Sequence, residues 1–291
     1  MGAIIGRLQG GALLVAGAVL AATLPAGVSH AEDGLPRQRG EVAWTMLSSA
    51  VGDLETPFPP GADQTDAQVL DVDLDGISDL VVVNRSVAPA GVWYRRGVSG
   101  WTKHVFEAES LPIEAGGAHH DVDGDGDLDI VVGDAATGNR IYWWENPFPE
   151  FDPATPWTRH LIKDGGQNKH HDMIFGDVDG DGDDEFVFWN ASRTLNVAEI
   201  PADPAGGPWP FTTVYSGTGL NEGLAIADVD LDGVDDIVGA GRWFKHAGGT
   251  TFTANLVDPE MPFTRTAVGQ LVPGGRPELL FVEGDLTTGY D

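Results

Sequence analysis

Cysteine is absent from the chain, which excludes disulfides and a lipid-modified cysteine at an export cleavage site. Basic residues are few: 16 against 45 acidic ones, a formal net charge of −29 over 291 residues. That balance speaks against nucleic acid and against an anionic membrane surface as partners. Helical periodicity is missing beyond the N-terminal segment. The chain also has no Gly-rich phosphate loop, no G-x-S-x-G and no H-E-x-x-H, so no common enzyme class announces itself. The long uncharged apolar run, Gly11–Leu24, is short for a membrane span. It follows Arg7 and precedes Pro25 and the small-x-small site formed by Ser29 and Ala31. Residues 1–31 therefore read as an export signal, with the rest secreted, extracellular or periplasmic, and without membrane insertion after cleavage. An uncleaved anchor is the bland alternative. An exported chain without disulfides needs another source of stability, and bound metal is an obvious one.

What is present in quantity is glycine (40), proline (19) and acid, beside a 42% hydrophobic fraction. The combination points to a turn-rich all-β protein. The acid is concentrated: windows 71–79, 121–129, 177–185 and 228–236 hold 20 of the 45 carboxylates. These windows read DVDLDGISD, DVDGDGDLD, DVDGDGDDE and DVDLDGVDD, at separations of 50, 56 and 51 residues. A degenerate fifth copy, 270–278, keeps a glycine pair and the final carboxylate, Glu278. A fixed period of this size marks a propeller or solenoid built from one supersecondary unit per repeat.

The rest of each repeat aligns as well. A short first strand (67–70, 173–176, 224–227, 267–269) precedes the acidic window, and a β-branched or aromatic run follows it (80–83, 130–132, 186–188, 237–238, 279–282). An aromatic third segment and a fourth segment opening on Thr or Trp-Thr complete it, as in Trp101–Phe106 and Trp157–Ile162. Four strands per repeat is one propeller blade. The expectation is a β-propeller over 32–291 with about four and a half blades, Trp44–Leu47 supplying a strand that could close the ring. The half blade suggests a chain cut short from a larger, seven-bladed propeller; a compact five-bladed ring missing one strand is the competing reading, and an inactive fragment of a longer protein is a third.

Closely spaced carboxylates repel one another, and hard, oxygen-seeking Ca²⁺ relieves that repulsion, with glycine supplying the sharp turn. An EF-hand also starts D-x-D-x-D-G, but it needs a carboxylate at position 12 and flanking helices. Position 12 here is Val82, Val132, Phe188 and Gly239, within β-type runs. Acidic turns without an ion are the plain alternative. The pattern D-x-D-x-D-G-x-x-D at blade spacing after an export signal resembles the FG-GAP/VCBS repeat family, related to the propeller of integrin α chains. The resemblance covers about 65–282. It implies Ca²⁺ held by side chains at positions 1, 3, 5 and 9 and a backbone carbonyl at 7. Those side chains are Asp71, Asp73, Asp75 and Asp79; Asp121, Asp123, Asp125 and Asp129; Asp177, Asp179, Asp181 and Glu185; and Asp228, Asp230, Asp232 and Asp236. The fifth copy lacks the first three acids, and no ion is expected there.

Activity must lie at non-repeating residues. His170, His171 and Asp172 stand just ahead of a first strand, aligned with Thr65-Asp66, Asn221-Glu222 and Thr264-Arg265. In a propeller these would ring one mouth of the central channel, either as solvated loop tips or as a ligand site. The leading expectation is a binding module for glycan or an extracellular protein. The enzyme alternative is a sugar lyase or dehydratase using His170, His171, Asp172 and Glu222. Their convergence in space would favour the second. His104 and His160 recur at one repeat position and read as packing residues; Trp93-Tyr94, Tyr142-Trp143-Trp144 and Trp243-Phe244 could stack on sugar rings, but packing between blades explains them more simply.

Overall fold

A computed structural model describes residues 45–152, 154–190 and 193–283. The export signal read over 1–31 lies outside the described residues. The chain divides into two compact units, Met1–Leu54 and Glu55–Asp291. In the first unit, Thr45–Leu47 takes no strand, which corrects the expectation of a ring-closing strand there; Trp44 lies outside the described residues. The short turn that follows is held by the Asp53 carboxylate, which accepts the Ser48 N–H at 3.0 Å.

Among the described residues, the second unit is all-β apart from one 3₁₀ turn, Pro204–Gly206. Four antiparallel four-stranded sheets follow one another, each in simple up-and-down order. Sheet one comprises β1 (Gln64–Leu70), β2 (Asp79–Asn84), β3 (Gly91–Gly97) and β4 (Gly100–Glu107). Sheet two comprises β5 (Ala118–His120), β6 (Asp129–Gly133), β7 (Arg140–Glu145) and β8 (Thr158–Asp164). Sheet three comprises β9 (Met173–Gly176), β10 (Glu185–Asn190), β11 (Thr194–Glu199) and β12 (Thr212–Ser216). Sheet four comprises β13 (Ala225–Ala227), β14 (Asp236–Gly239), β15 (Arg242–His246) and β16 (Phe252–Leu256). A two-stranded sheet, β17 (Thr264–Gly269) with β18 (Glu278–Glu283), ends the series. No closed ring is found among the described residues. First strands of successive sheets lie side by side, β1 on β5, β5 on β9, β9 on β13 and β13 on β17.

The hydrophobic cores lie between sheets, which explains the all-buried second strands. Val81, Val83 and Trp93 of sheet one pack with Ile130, Val132 and Trp144 of sheet two. Val131, Ile141 and Trp143 of sheet two pack with Phe186, Phe188 and Ala198 of sheet three. Val187, Trp189 and Leu195 of sheet three pack with Ile237 and Phe244 of sheet four. A second strand is sandwiched on both faces, so β6 and β10 lose the polar alternation of a half-exposed strand. Each buried aromatic removes ~150–250 Å² from water, so these rings dominate the contacts between sheets. His104 stacks on Trp93 at 4.6 Å and His160 on Trp143 at 4.4 Å, the packing role read from their recurrence.

Up-and-down order sorts the connections by end. Links from first to second strand, the four acidic windows, share one end of the sheets with the links from third to fourth. The hairpins from second to third strand and the links from each fourth strand to the next sheet share the other. His170–Asp172 and Glu222 lie in links of the second kind. The acidic loops and the polar cluster thus occupy opposite ends.

Candidate functional site

Each acidic window folds into a tight loop through its own carboxylates. The first aspartate accepts N–H groups from the turn: Gly76 to Asp71 at 2.8 Å, Gly126 to Asp121 at 3.0 Å, Gly182 to Asp177 at 3.1 Å and Gly233 to Asp228 at 2.9 Å. These four glycines have φ between 85° and 101°, a left-handed conformation that penalises any side chain. The fifth position caps the next turn, with Asp125 accepting the Asp127 N–H at 3.2 Å. Three donor groups then converge within 4.8 Å of one another in every loop: Asp71, Asp73 and Asp79; Asp121, Asp123 and Asp125; Asp177, Asp179 and Glu185; Asp228, Asp230 and Asp232. Asp75, Asp129, Asp181 and Asp236 stand outside these groups.

The ninth position has a second job. Asp129, almost fully buried, accepts the Val122 N–H at 2.9 Å and the Asn146 N–H at 2.8 Å, tying the loop to the end of β7. Asp79 does the same with Val72 and Arg96, and Asp236 with Val229 and His246. Glu185 spends one oxygen on Val178 and Asp179, leaving Oε1 buried without a partner. In the degenerate fifth copy, Glu278 still accepts the Leu271 N–H at 2.8 Å. This staple therefore belongs to the folding of the loop and persists where the other acids are gone.

Electrostatically the loops are frustrated. Burial pushes the Asp79 carboxyl up to about 6 and that of Asp129 up to about 8. Burial, aided by neighbouring acids, lifts Asp127 to about 7 and Glu185 to about 7. Oxygens of Asp73, Asp121, Asp127, Glu185 and Asp230 are buried without hydrogen-bond partners. An all-oxygen donor set with orphaned buried oxygens fits a hard divalent cation. The loops differ in one respect that the repeat pattern hid. Next to the staple, on the third strand, stand Arg95, Glu145, Glu199 and Lys245. Arg95 contacts Asp73, and Lys245 contacts Asp230 and lies 2.8 Å from Asp232. The first and fourth loops hold a cation of their own, whereas Glu145 and Glu199 add negative charge to the second and third.

At the opposite end, His171, Asp172 and Glu222 converge within 4.8 Å. His171 Nδ1 lies 2.8 Å from Asp172 Oδ2, and its Nε2 lies 3.4 Å from Glu222 Oε2. Asp172 also accepts the Gly223 N–H at 2.7 Å. Glu222 is fully buried and is met by Lys169 at 3.2 Å and Arg265 at 3.1 Å. Burial works against a charged His171, but the Asp172 and Glu222 carboxylates hold it above its ordinary value. Burial likewise opposes ionisation of Asp172, yet His171 and the Gly223 N–H keep it below the usual range. Glu222 is raised by burial despite its cationic neighbours.

The backbone here is bent to fit. Lys169 and Asp172 have φ of 63° and 59°, a left-handed conformation that costs ~1–2 kcal/mol per non-glycine residue. Close approach of neighbouring links demands glycine. A Cβ on Gly116 would fall 2.5 Å from Asp172 N, and one on Gly133 would fall 2.5 Å from His170 Cβ.

His170 does not join the cluster, which corrects its grouping with the other three. Its Nδ1 lies 3.0 Å from the Asp134 carbonyl and its Nε2 3.0 Å from Lys163 Nζ. Burial and the Lys163 charge push it down to about 4, so it is a neutral packing residue. Of the aligned pairs, Glu222 and Arg265 reach the cluster, whereas Asp66 instead accepts from Gln68 at 3.0 Å. Lys169 was not foreseen. Its sequence signal is only that it stands in the same link as the histidine pair.

The profile of the FG-GAP-like repeat matches residues 121–188, from the second acidic loop into the third repeat's second strand. No curated protein matches the chain in sequence. Among solved structures, the biofilm matrix protein Bap1 of V. cholerae is similar with a TM-score of 0.47 and 17% identity, over 76% of this chain and 35% of that one. The rhamnogalacturonan lyase YesW is similar with a TM-score of 0.43 and 16% identity, over 77% of this chain and 47% of that one. The chain thus spans between a third and a half of the length of these two.

Proposed function

We propose that the chain is an exported β-propeller of the FG-GAP type that binds Ca²⁺ in its four acidic loops and a glycan at the opposite end of its sheets. The observation that carries this reading is the segregation of charge. The orphaned carboxylates other than Asp134 gather at one end, while a buried cluster of His171, Asp172 and Glu222 with Lys169 and Arg265 stands at the other. A metal at the first end would brace the fold without touching a ligand at the second. Polar, partly cationic links suit a sugar better than a protein, whose docking surface would carry an apolar centre. The blade reading rests on four successive four-stranded antiparallel sheets with adjacent first strands.

Calcium's part would be structural. Extracellular modules bind it at ~10⁻⁴–10⁻³ M. At tenfold excess one site adds about 1.4 kcal/mol, and four independent sites about 6, against a net ~5–15 kcal/mol for a whole domain. The test of function is a glycan array probed with the calcium-loaded protein, with and without chelator. Binding of a defined glycan class supports the reading; no binding to any glycan would turn attention to an extracellular protein partner.

A second reading, an enzyme acting on a sugar as lyase or dehydratase, is favoured by the convergence of His171, Asp172 and Glu222. A histidine oriented by a carboxylate is the arrangement of a general base. Against it, the ring is nearly buried and Glu222 is already paired by two cations. An assay for the new double bond such reactions create, run on the glycans the array selects, decides between the two.

A further inference from the structure

A cleft of about 750 Å³ opens beside the buried cluster, lined by residues of the β6–β7 hairpin, the β8–β9 link and the β10–β11 hairpin. That volume falls within the ~300–1,000 Å³ typical of ligand sites. Its composition departs from the rest of the chain. In a protein with 45 acidic and 16 basic residues, the lining holds no carboxylate and two cations, Lys169 and Arg193. Three amide side chains, those of Asn139, Gln167 and Asn168, complete its polar wall.

The walls are built from below. Lys163 is buried and donates to the carbonyls of Asn139 at 3.0 Å and Gln167 at 2.8 Å, and also to that of Gly165. One ammonium thus fixes both the hairpin and the link that face each other across the cleft. Asn168 donates to the Ala136 carbonyl and joins the same two segments again. Of the neighbouring carboxylates, Asp164 is exposed but paired with Arg140, and the other two are buried. Asp134 is 3% exposed and accepts the Arg140 N–H, and Glu222 is 0% exposed and paired with Lys169. Arg193 is exposed and makes no ion pair or side-chain hydrogen bond among the described residues.

We infer that this cleft takes an anionic sugar unit, a uronate whose carboxylate meets the Arg193 guanidinium and the Lys169 ammonium. Arginine's planar fork suits bidentate contact with a carboxylate, and the amides and loop carbonyls suit sugar hydroxyls. The net charge of −29 opposes an acidic polymer at long range, so the two cations act only at short range, on the one sugar unit seated in the cleft. The inference rests on the glycan reading above and narrows it to one class of sugar.

The experiment is titration calorimetry of the calcium-loaded protein with four probes: a uronate tetrasaccharide, its methyl ester, a sulfated tetrasaccharide and a neutral tetrasaccharide. The expected result is that the free uronate binds at least tenfold more tightly than its methyl ester and than the neutral sugar. Arg193→Gln is expected to abolish that preference, while Arg140→Gln, outside the cleft on an exposed pair with Asp164, leaves it intact. Equal binding of uronate and ester, an unchanged preference in Arg193→Gln, or binding of the sulfated sugar alone would overturn the uronate assignment and leave the glycan reading standing. No binding of any of the four, after a negative array, would overturn both.

Discussion

Lys245 lies with its ammonium 2.8 Å from the Asp232 carboxylate and in contact with Asp230, occupying the neighbourhood where the second and third repeats place Glu145 and Glu199. Four loops that read alike therefore divide into two pairs. In the first and fourth, a strand cation partly neutralises the acids, and the residue at position 4 is a leucine, Leu74 or Leu231, in left-handed conformation. In the second and third that position is glycine, and the strand residue is acidic. Calcium titration is expected to show two classes of site, two tighter sites and two weaker ones. Lys245→Gln is expected to tighten one weak site severalfold; an unchanged isotherm would show that the lysine simply swings aside.

Acidity bears on the same loops. For Asp79, Asp129 and Glu185 burial raises the carboxyl above its unfolded value, to about 6, about 8 and about 7. The native state without metal therefore binds more protons than the unfolded chain between roughly pH 4 and pH 8. Stability from these groups is present at the acid end of that window and is lost as pH rises through it. Calcium-free protein is thus expected to unfold more easily at pH 8 than at pH 5. Saturating calcium holds the carboxylates ionised and should flatten or reverse that slope. Denaturant melts at the two pH values, with metal and with chelator, check both statements.

Glu222 is the keystone of the opposite end. Glu222→Gln leaves Lys169, Arg265 and His171 without the carboxylate they share. Since Lys169 and Arg265 can turn toward solvent, the expected cost is about 1–3 kcal/mol, below the ~3–5 of a sealed pair. The His171 pKa should fall, because one of the two carboxylates that hold it up is gone. Urea unfolding gives the first quantity and the histidine ring proton shifts give the second.

Much of the fold is legible in the amino-acid sequence. The second strands followed from runs such as Ile130–Val132 and Phe186–Phe188, because a strand packed on both faces must be apolar throughout. Other elements were hidden for physical reasons. The first strand of the second sheet, Ala118–His120, contains the histidine pair and has no apolar signature. His119 instead meets Gln68 at 3.2 Å, and His120 stacks on Phe175 at 4.5 Å. The meeting of His171, Asp172 and Glu222 was foreseeable from their aligned places ahead of successive first strands. The departure of His170 was not, since it depends on the Asp134 carbonyl of the β6–β7 hairpin and on the turn that brings Lys163 of β8 back to its ring. Lys169 and Arg193 likewise come together through three links that only the packing of sheets two and three brings face to face.

Acidic loops that act as calcium braces, as proposed, make the stability of the whole chain depend on the ion. Thermal unfolding of the full chain in millimolar calcium and in excess chelator tests that dependence most directly. Four sites contributing about 6 kcal/mol in a unit of this size correspond to a melting temperature more than ~10 °C higher with calcium. Such a shift, reversed on adding calcium back, is the result predicted; superimposable melting curves would contradict the account.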